Sequence, residues 1–254
     1  MIATVTQNAA VCAIAVMAKA PRPGQVKTRL SPPLSPEEAM AMSAAFLRDA
    51  TENIRAAARE TPIAGYVAFA PAGLGDLFDG MLAEGTGLVL ADGIGEMPPG
   101  VEGLGRSLLH ATRALFAQGY GSVCLLNSDS PTLPTALLVR AARLLAEPGD
   151  HAVLGPAEDG GYYLLGMKAP HAGLYAGMSW SSDQVAEQTR QAARDLGLTL
   201  HDLDPWYDVD DQAALQRLIA ETSRPGSHRP APFPAPATTA CLARLGLPVR
   251  LAAA

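Results

Sequence analysis

Three groups of charged residues carry the chemistry available to this chain. The first is Asp129, in the run Ser122–Pro131 (SVCLLNSDSP). A carboxylate at the end of an apolar run is an oxygen donor suited to Mg²⁺ or Mn²⁺, with phosphate oxygens completing the shell. The same residues also suit an Asx-type turn, in which Asp129 and Ser130 serve only the backbone. The second group is cationic. Lys19, Arg22, Lys27 and Arg29 fall within AKAPRPGQVKTRL, and no acid follows them before Glu37. In a chain of formal charge −6, such a loop suits a polyanion, with arginine as a fork and lysine as a point charge. A solvated basic loop is the plain alternative. The third group is acidic. Asp208, Asp210 and Asp211 lie in DPWYDVDDQAAL, and Glu158 and Asp159 precede two glycines in PAEDGG. One or two of the acids at 208–211 are explained by capping the helix that follows. Asp208, beside Trp206 and Tyr207, is not, and a second cluster of hard oxygen donors suits a phosphate-bridging metal site. Asp159-Gly160-Gly161 is a turn signal that also brings backbone and carboxylates close to a substrate.

The elements that position these groups alternate strand and helix. Val11–Met17 and Val123–Leu126 read as strands buried on both faces, as in a parallel sheet. Ser35-Pro36-Glu37-Glu38 is a capping box opening a helix to about Glu60. Strands follow at Ile63–Ala70, Leu88–Ala91, His151–Gly155, Tyr162–Met167 and Leu198–Leu203. Helices are expected near Asp76–Leu82, at Leu104–Gln118, Pro134–Glu147, Ser182–Leu196 and Asp211–Ala220. Tyr162–Met167, after a tight turn, is the expected antiparallel strand. The class is therefore α/β, with helices on both faces of a mostly parallel sheet. Ligands of such sheets bind beyond the carboxyl ends of the strands, where both the basic loop and Asp129 fall. Arg106, on the first turn of its helix, opposes the helix dipole and either faces an anion or is simply exposed.

Composition removes other classes. The negative charge argues against a general nucleic-acid partner. No stretch of eighteen apolar residues exists to span a membrane. The first twenty residues lack a basic leader and read as the entry to the first strand. Cys12, Cys124 and Cys241 have no CxxC spacing, and the first two sit in apolar runs, which points to reduced core thiols and a cytoplasmic setting. From residue 222 the sequence turns rich in proline and small residues, so residues 1–221 form the expected domain and 222–254 a proline-rich linker and tail.

Taken in order, KAPRPGQVKTRL, SDSPTL, GPAEDGGYYLLG, WSSD and YDVDD resemble a bacterial glycosyltransferase-like group related to the 2-phospholactate guanylyltransferases. That group belongs to the nucleotide-diphospho-sugar transferase superfamily, with a Rossmann-like GT-A fold. The resemblance covers about Val11–Leu215. It implies that Lys19, Lys27 and Arg29 hold nucleotide phosphates, and that Asp129, with Asp208 or Asp210, anchors a divalent cation; Arg22 of the basic loop and Arg106 are further phosphate candidates by residue type and position. It implies a substrate-facing stretch at Glu158, Asp159, Gly160 and Gly161. Trp180 opens the WSSD segment and is an aromatic suited to stacking on a ring. The partners implied are a nucleotide donor and a small-molecule acceptor. In glycosyl transfer a nucleoside diphosphate leaves, with Glu158 or Asp159 as base. In nucleotidyl transfer an NTP loses pyrophosphate to a phosphorylated acceptor. The sequence departs from the Asp-x-Asp pair of glycosyltransferases at Ser128-Asp129-Ser130, and from the glycine-rich nucleotidyltransferase loop at its prolines. A non-catalytic nucleotide-binding module needs the basic loop but not the carboxylates.

Overall fold

The computed structural model describes residues 8–223 and 230–250. Its centre is a sheet of seven strands: β1 (Cys12–Lys19), β2 (Ile63–Ala70), β3 (Gly87–Leu90), β4 (Ser122–Leu126), β5 (His151–Pro156), β6 (Tyr162–Met167) and β7 (Thr199–Asp202). The order across the sheet is β3-β2-β1-β4-β6-β5-β7. β6 runs antiparallel to both of its neighbours, and every other pairing is parallel. The expected α/β class and the expected antiparallel strand are both present.

Alternation along the central strands sorts the core into two layers. Cys12, Ile14 and Val16 of β1, with Cys124 and Leu126 of β4, face one cluster. Ala13, Ala15, Val123 and Leu125 face the other. The first layer is closed by α1 (Pro36–Ala57), α3 (Thr135–Ala146), α5 (Gln212–Ser223) and α6 (Pro236–Arg244), the second by α2 (Leu104–Ala117) and α4 (Val185–Asp195). β1 and β4 are thus apolar on both sides, which is why their sequences run without alternation.

Local chemistry sets the ends. The Ser35–Glu38 capping box forms as expected, with Pro36 in the first turn of α1. α4 starts three residues later than its serines suggest. Ser182 instead accepts a hydrogen bond from the Gln184 amide and donates to the Ser179 carbonyl, so its hydroxyl shapes the turn before the helix. The weak helix expected near Asp76–Leu82 is a 3-10 turn, Gly75–Phe78, pinned by buried Phe78. Beyond Glu221, α5 continues to Ser223. Residues 1–7, in the entry to β1, and 224–229, in the proline-rich segment, lie outside the described residues. Pro236–Arg244, within the expected tail, is a helix packed on α1. Asp49 of α1, wholly buried, accepts from the amides of Ala237 at 3.0 Å and Thr238 at 2.7 Å. A carboxylate from α1 therefore caps α6 across a distance in sequence that no local pattern reveals. Burial pushes the Asp49 carboxyl up, against the opposing pull of those hydrogen bonds.

Candidate active site

Beyond the carboxyl ends of β1, β2 and β4 lies a cleft of about 460 Å³. Its floor is made of small strand-end residues, Ala18, Ala68, Ala70 and Ala91, which leave room that larger side chains would fill. Ser43 and Leu47 of α1 and Leu104 and Ser107 of α2 line its flanks. Lys19, Lys27, Arg29, Asn127, Asp129 and Asp210 supply its polar rim.

Lys27 is placed by the apolar residues on either side of it. Val26 and Leu30 are buried, so the loop must turn sharply between them. Lys27 makes that turn in the left-handed region, at φ 49° and ψ 37°, and a 3-10 turn over Thr28–Leu30 follows. Its ammonium lies 5.1 Å from the centre of the Phe46 ring. The Lys27 side chain is only 7% exposed, and its Nζ lies 2.6 Å from Asp129 Oδ1 and 3.2 Å from Asp210 Oδ1. It also donates to the Val209 carbonyl at 2.8 Å. All three protons of the ammonium thus have an acceptor nearby. Arg29, on the rim, pairs with the other oxygen of Asp210 at 2.5 Å.

Asp129 sits at the tip of β4. An Asx-type turn forms there, but Asn127 heads it rather than Asp129: the Asp129 amide donates to Asn127 Oδ1, and among the described residues no backbone amide donates to the Asp129 carboxylate. Ser128 Oγ donates to Asp129 Oδ1 at 3.0 Å, and the Val209 amide donates to the Asp129 carbonyl at 2.8 Å. That last bond ties the Asp129 turn to the segment carrying Asp210. The turn is thus made by Asn127, which leaves the Asp129 side chain to face the cleft and Lys27.

Asp208 is handled differently from Asp210, two residues on. It accepts from Asn127 Nδ2 at 2.7 Å and from Ser130 Oγ at 2.5 Å. Burial pushes its pKa up to about 6; the two hydrogen bonds oppose the rise, while the charges of Asp129 and Asp159 add to it. Asp211 caps α5, accepting from the Ala214 amide at 2.8 Å.

The remaining sequence candidates stand apart from this cluster. Glu158 forms a two-point ion pair with Arg217, at 2.5 and 3.1 Å. The Arg217 guanidinium stacks 3.8 Å from the centre of the Tyr207 ring. Arg217 has no signal in the sequence, because it is one of several polar residues on a short amphipathic helix. Asp159 Oδ1 accepts from the Gly161 amide at 2.9 Å. Gly160 adopts φ +90°, and a Cβ there would meet the Asp183 carbonyl at 2.1 Å, so the turn is seated hard against the entry to α4. Trp180 donates to the Glu102 carbonyl at 3.1 Å and packs against Gly103 and Gly105, fastening the glycine-rich loop. Arg106 donates to the carbonyls of Gly93 at 3.1 Å and Gly95 at 3.0 Å, holding the other end of that loop. Arg22 is exposed. Neither Arg22, Arg106, Trp180 nor the 158–161 turn lines the cleft. Asn127, Ser43 and Ser107, which do line it, carry no charge or motif by which a sequence reading could single them out.

The class defined by this sheet and cleft is the nucleotide-diphospho-sugar transferase-like fold. The chain belongs to the bacterial family described as "uncharacterized protein conserved in bacteria (DUF2064)", whose profile matches residues 53–182. A provisionally assigned nucleotide-diphospho-sugar transferase from Desulfovibrio desulfuricans G20 has a similar structure, with a TM-score of 0.76 and 27% identity over 94% of this chain and 97% of that one. A nucleotidyl transferase from Methanothermobacter thermautotrophicus shares the fold at a TM-score of 0.52 and 15% identity, over 82% of this chain and 95% of that one. So does CMP:2-keto-3-deoxy-manno-octonic acid synthetase, solved with CTP, at 0.51 and 12%, over 84% of this chain and 98% of that one. No curated protein matches the chain.

Proposed function

We infer that this protein is a nucleotide-dependent transferase whose donor phosphates lie in the cleft at the ends of β1 and β4. One observation carries the reading. Residues from three distant segments, Lys27 and Arg29, Asp129, and Asp210, converge on one rim with their charges in contact. The similarity to the Desulfovibrio protein and the shared fold of two nucleotidyltransferases support it. A divalent cation fits this rim, because the Lys27 ammonium already stands where two carboxylates converge, a cation in the place of a cation. Asp129 and Asp210 would hold the ion, and when bound it neutralises charge on a departing phosphate. Asp208 would support Asp129 from behind, through Asn127 and Ser130.

The chain's own residues then do the following. Lys19 and Arg29, at the rim, offer donors to the outer phosphate oxygens. The apolar floor leaves the cleft only partly open to solvent, so each charge contact counts for more than it would in bulk water. Seating on rigid strand ends aligns the donor for attack. In glycosyl transfer, Asp159 is the freer of the two candidate bases for an acceptor hydroxyl, since Glu158 is engaged on both oxygens by Arg217 while, among the described residues, Asp159 Oδ1 accepts from the Gly161 amide only.

A second reading, nucleotidyl transfer like that of the 2-phospholactate guanylyltransferases, is favoured by Asp129 standing alone. Serines flank it, and their hydroxyls serve Asp129 and Asp208, so no second carboxylate occupies the turn. Incubation with a panel of nucleotide sugars and nucleoside triphosphates, with Mn²⁺ and a mixture of small acceptors, separates the readings. UDP or GDP release indicates glycosyl transfer, and pyrophosphate release indicates nucleotidyl transfer. Loss of either with Asp129→Ala ties it to the cleft. If no donor is consumed and binding raises stability equally in wild type and Asp129→Ala, the protein is a binding module and the catalytic reading falls.

A further inference from the structure

Lys27 is an unusual phosphate ligand. A lysine that waits for a phosphate ordinarily reaches into solvent, yet this one is 7% exposed and already fully committed. Its partners are the two acids best placed to hold a metal ion. Arg29, whose side chain is 76% exposed, is likewise held by Asp210. Lys27, Arg29, Asp129 and Asp210 thus satisfy one another.

We propose that this rim works by exchange of ion-pair partners: the Lys27 ammonium is the resident counter-ion of Asp129 and Asp210, and a divalent cation and a nucleotide's phosphates enter together by taking its place and its charge. Asp129 and Asp210 would then hold the ion, and Lys27 and Arg29, released, would turn to the phosphates. This rests on the reading of the cleft as a nucleotide site, and adds how that site is kept closed to partial ligands.

The physical reason is charge balance in a semi-enclosed space. A divalent ion entering alone finds Lys27 beside it at contact distance, with repulsion poorly screened by so little solvent. Expelling the ammonium without giving it a new partner strands a nearly buried charge, which is costly. A phosphate entering alone finds Lys27 and Arg29 occupied and two carboxylates close behind them. Entering as a pair, metal and phosphates leave every charge with an opposite neighbour. The Val209 carbonyl, which also accepts from Lys27, gives the ammonium a foothold from which to swing. The Lys27 backbone, in the left-handed region between two buried apolar residues, stays fixed, so the exchange needs side-chain rotation only.

The test uses the full chain and Mn²⁺ alone, followed by titration calorimetry and by the paramagnetic resonance of the bound ion. Wild type should bind Mn²⁺ weakly. Lys27→Met should bind it on the order of tenfold more tightly or better, within the usual range of couplings between sites. Arg29→Met removes the same charge from the same rim but not the contact with Asp129, and should change Mn²⁺ affinity by less than about threefold, as rim charges in solvent do. Equal effects of the two variants would mean a general change of field and would overturn the exchange. So would unchanged Mn²⁺ affinity in Lys27→Met. Thermal unfolding shows whether each variant is folded. Should Lys27→Met be unfolded, Lys27→Gln gives the same test: a neutral amide that can still donate to the Val209 carbonyl brings no repelling charge, so Mn²⁺ affinity should rise, and no rise overturns the proposal. A parallel titration of wild type with GTP and with UDP-glucose, each with and without Mn²⁺, tests the underlying reading separately. Binding of neither compound under any condition sinks the nucleotide site and the exchange with it. Nucleotide binding with Lys27→Met indifferent to metal sinks the exchange alone.

Discussion

Two carboxylate-bearing turns stand at the same end of this sheet, and they keep their charges in opposite ways. At the Asp129 turn, two acids share one lysine, and Arg29 takes the second oxygen of Asp210. At the 158–161 turn, Glu158 and Arg217 pair one to one, both about half exposed. The first arrangement is open-ended: each group keeps a partner it could exchange, and the group at its centre is nearly buried. The second is closed, with an aromatic ring covering the guanidinium and water covering the rest. A shared ion cluster around a cleft is an arrangement that a charged ligand can enter, whereas an isolated exposed pair contributes little beyond docking one element on another.

Four substitutions test whether the two turns differ as described. Asp129→Ala should lower turnover with the best donor by roughly 10²–10³-fold, the usual loss on removing one electrostatic contact to a transition state. Steady-state rates check it, and a loss below about tenfold would place the chemistry elsewhere. Lys27→Met leaves two neighbouring carboxylates without their common cation. It should destabilise the ligand-free protein by about 2 kcal/mol, below the figure for a wholly buried pair because both acids are partly wetted. Urea unfolding with no divalent ion present measures this, and added Mn²⁺ should return part of the loss by mass action.

Asp208 gives a pH test. Its pKa, raised to about 6, means that between about pH 4 and 6 the folded protein keeps a proton that the unfolded chain has released. Stability from this group is therefore greatest below that window and is lost as pH rises through it. Asp208→Asn removes the dependence, and should be the more stable protein by about 1–2 kcal/mol at pH 7.5, with the difference fading toward pH 4. Unfolding curves at the two pH values decide. Arg217→Ala, on the closed side, should cost only about 1 kcal/mol and change turnover less than about fivefold, since an exposed pair and one cation–aromatic contact are lost. A larger fall in turnover than in stability would show that the Glu158–Arg217 pair itself takes part in the chemistry and would erase the contrast.

Legibility followed the range of each interaction. Ile63–Ala70 and Tyr162–Met167 match their strands residue for residue, because burial on known faces writes itself into successive positions. The Ser35 capping box was equally plain, since all its partners lie within four residues. Helix α6 was hidden, because its cap, Asp49, comes from α1, and its prolines read locally as a linker. The cluster was half visible: its members stood out by type, but Asp208 and Asp210 look alike in the string, and only folding turns one inward to Asn127 and the other outward to Arg29.

By itself the sequence determined the alternation of strands and helices, the two-faced burial of β1 and β4, and the three charged segments brought to the carboxyl ends of strands, all of which follow from patterns a few residues long. Only the tertiary structure decided which charges meet. Lys27 and Asp210 are separated by nearly the whole domain, and their contact depends on sheet order, on a left-handed turn between two buried side chains, and on one amide of Val209 bonded to Asp129. Coulomb energy in a half-enclosed cleft falls off over a few ångströms, so the chemistry rests on those placements rather than on the presence of the residues alone.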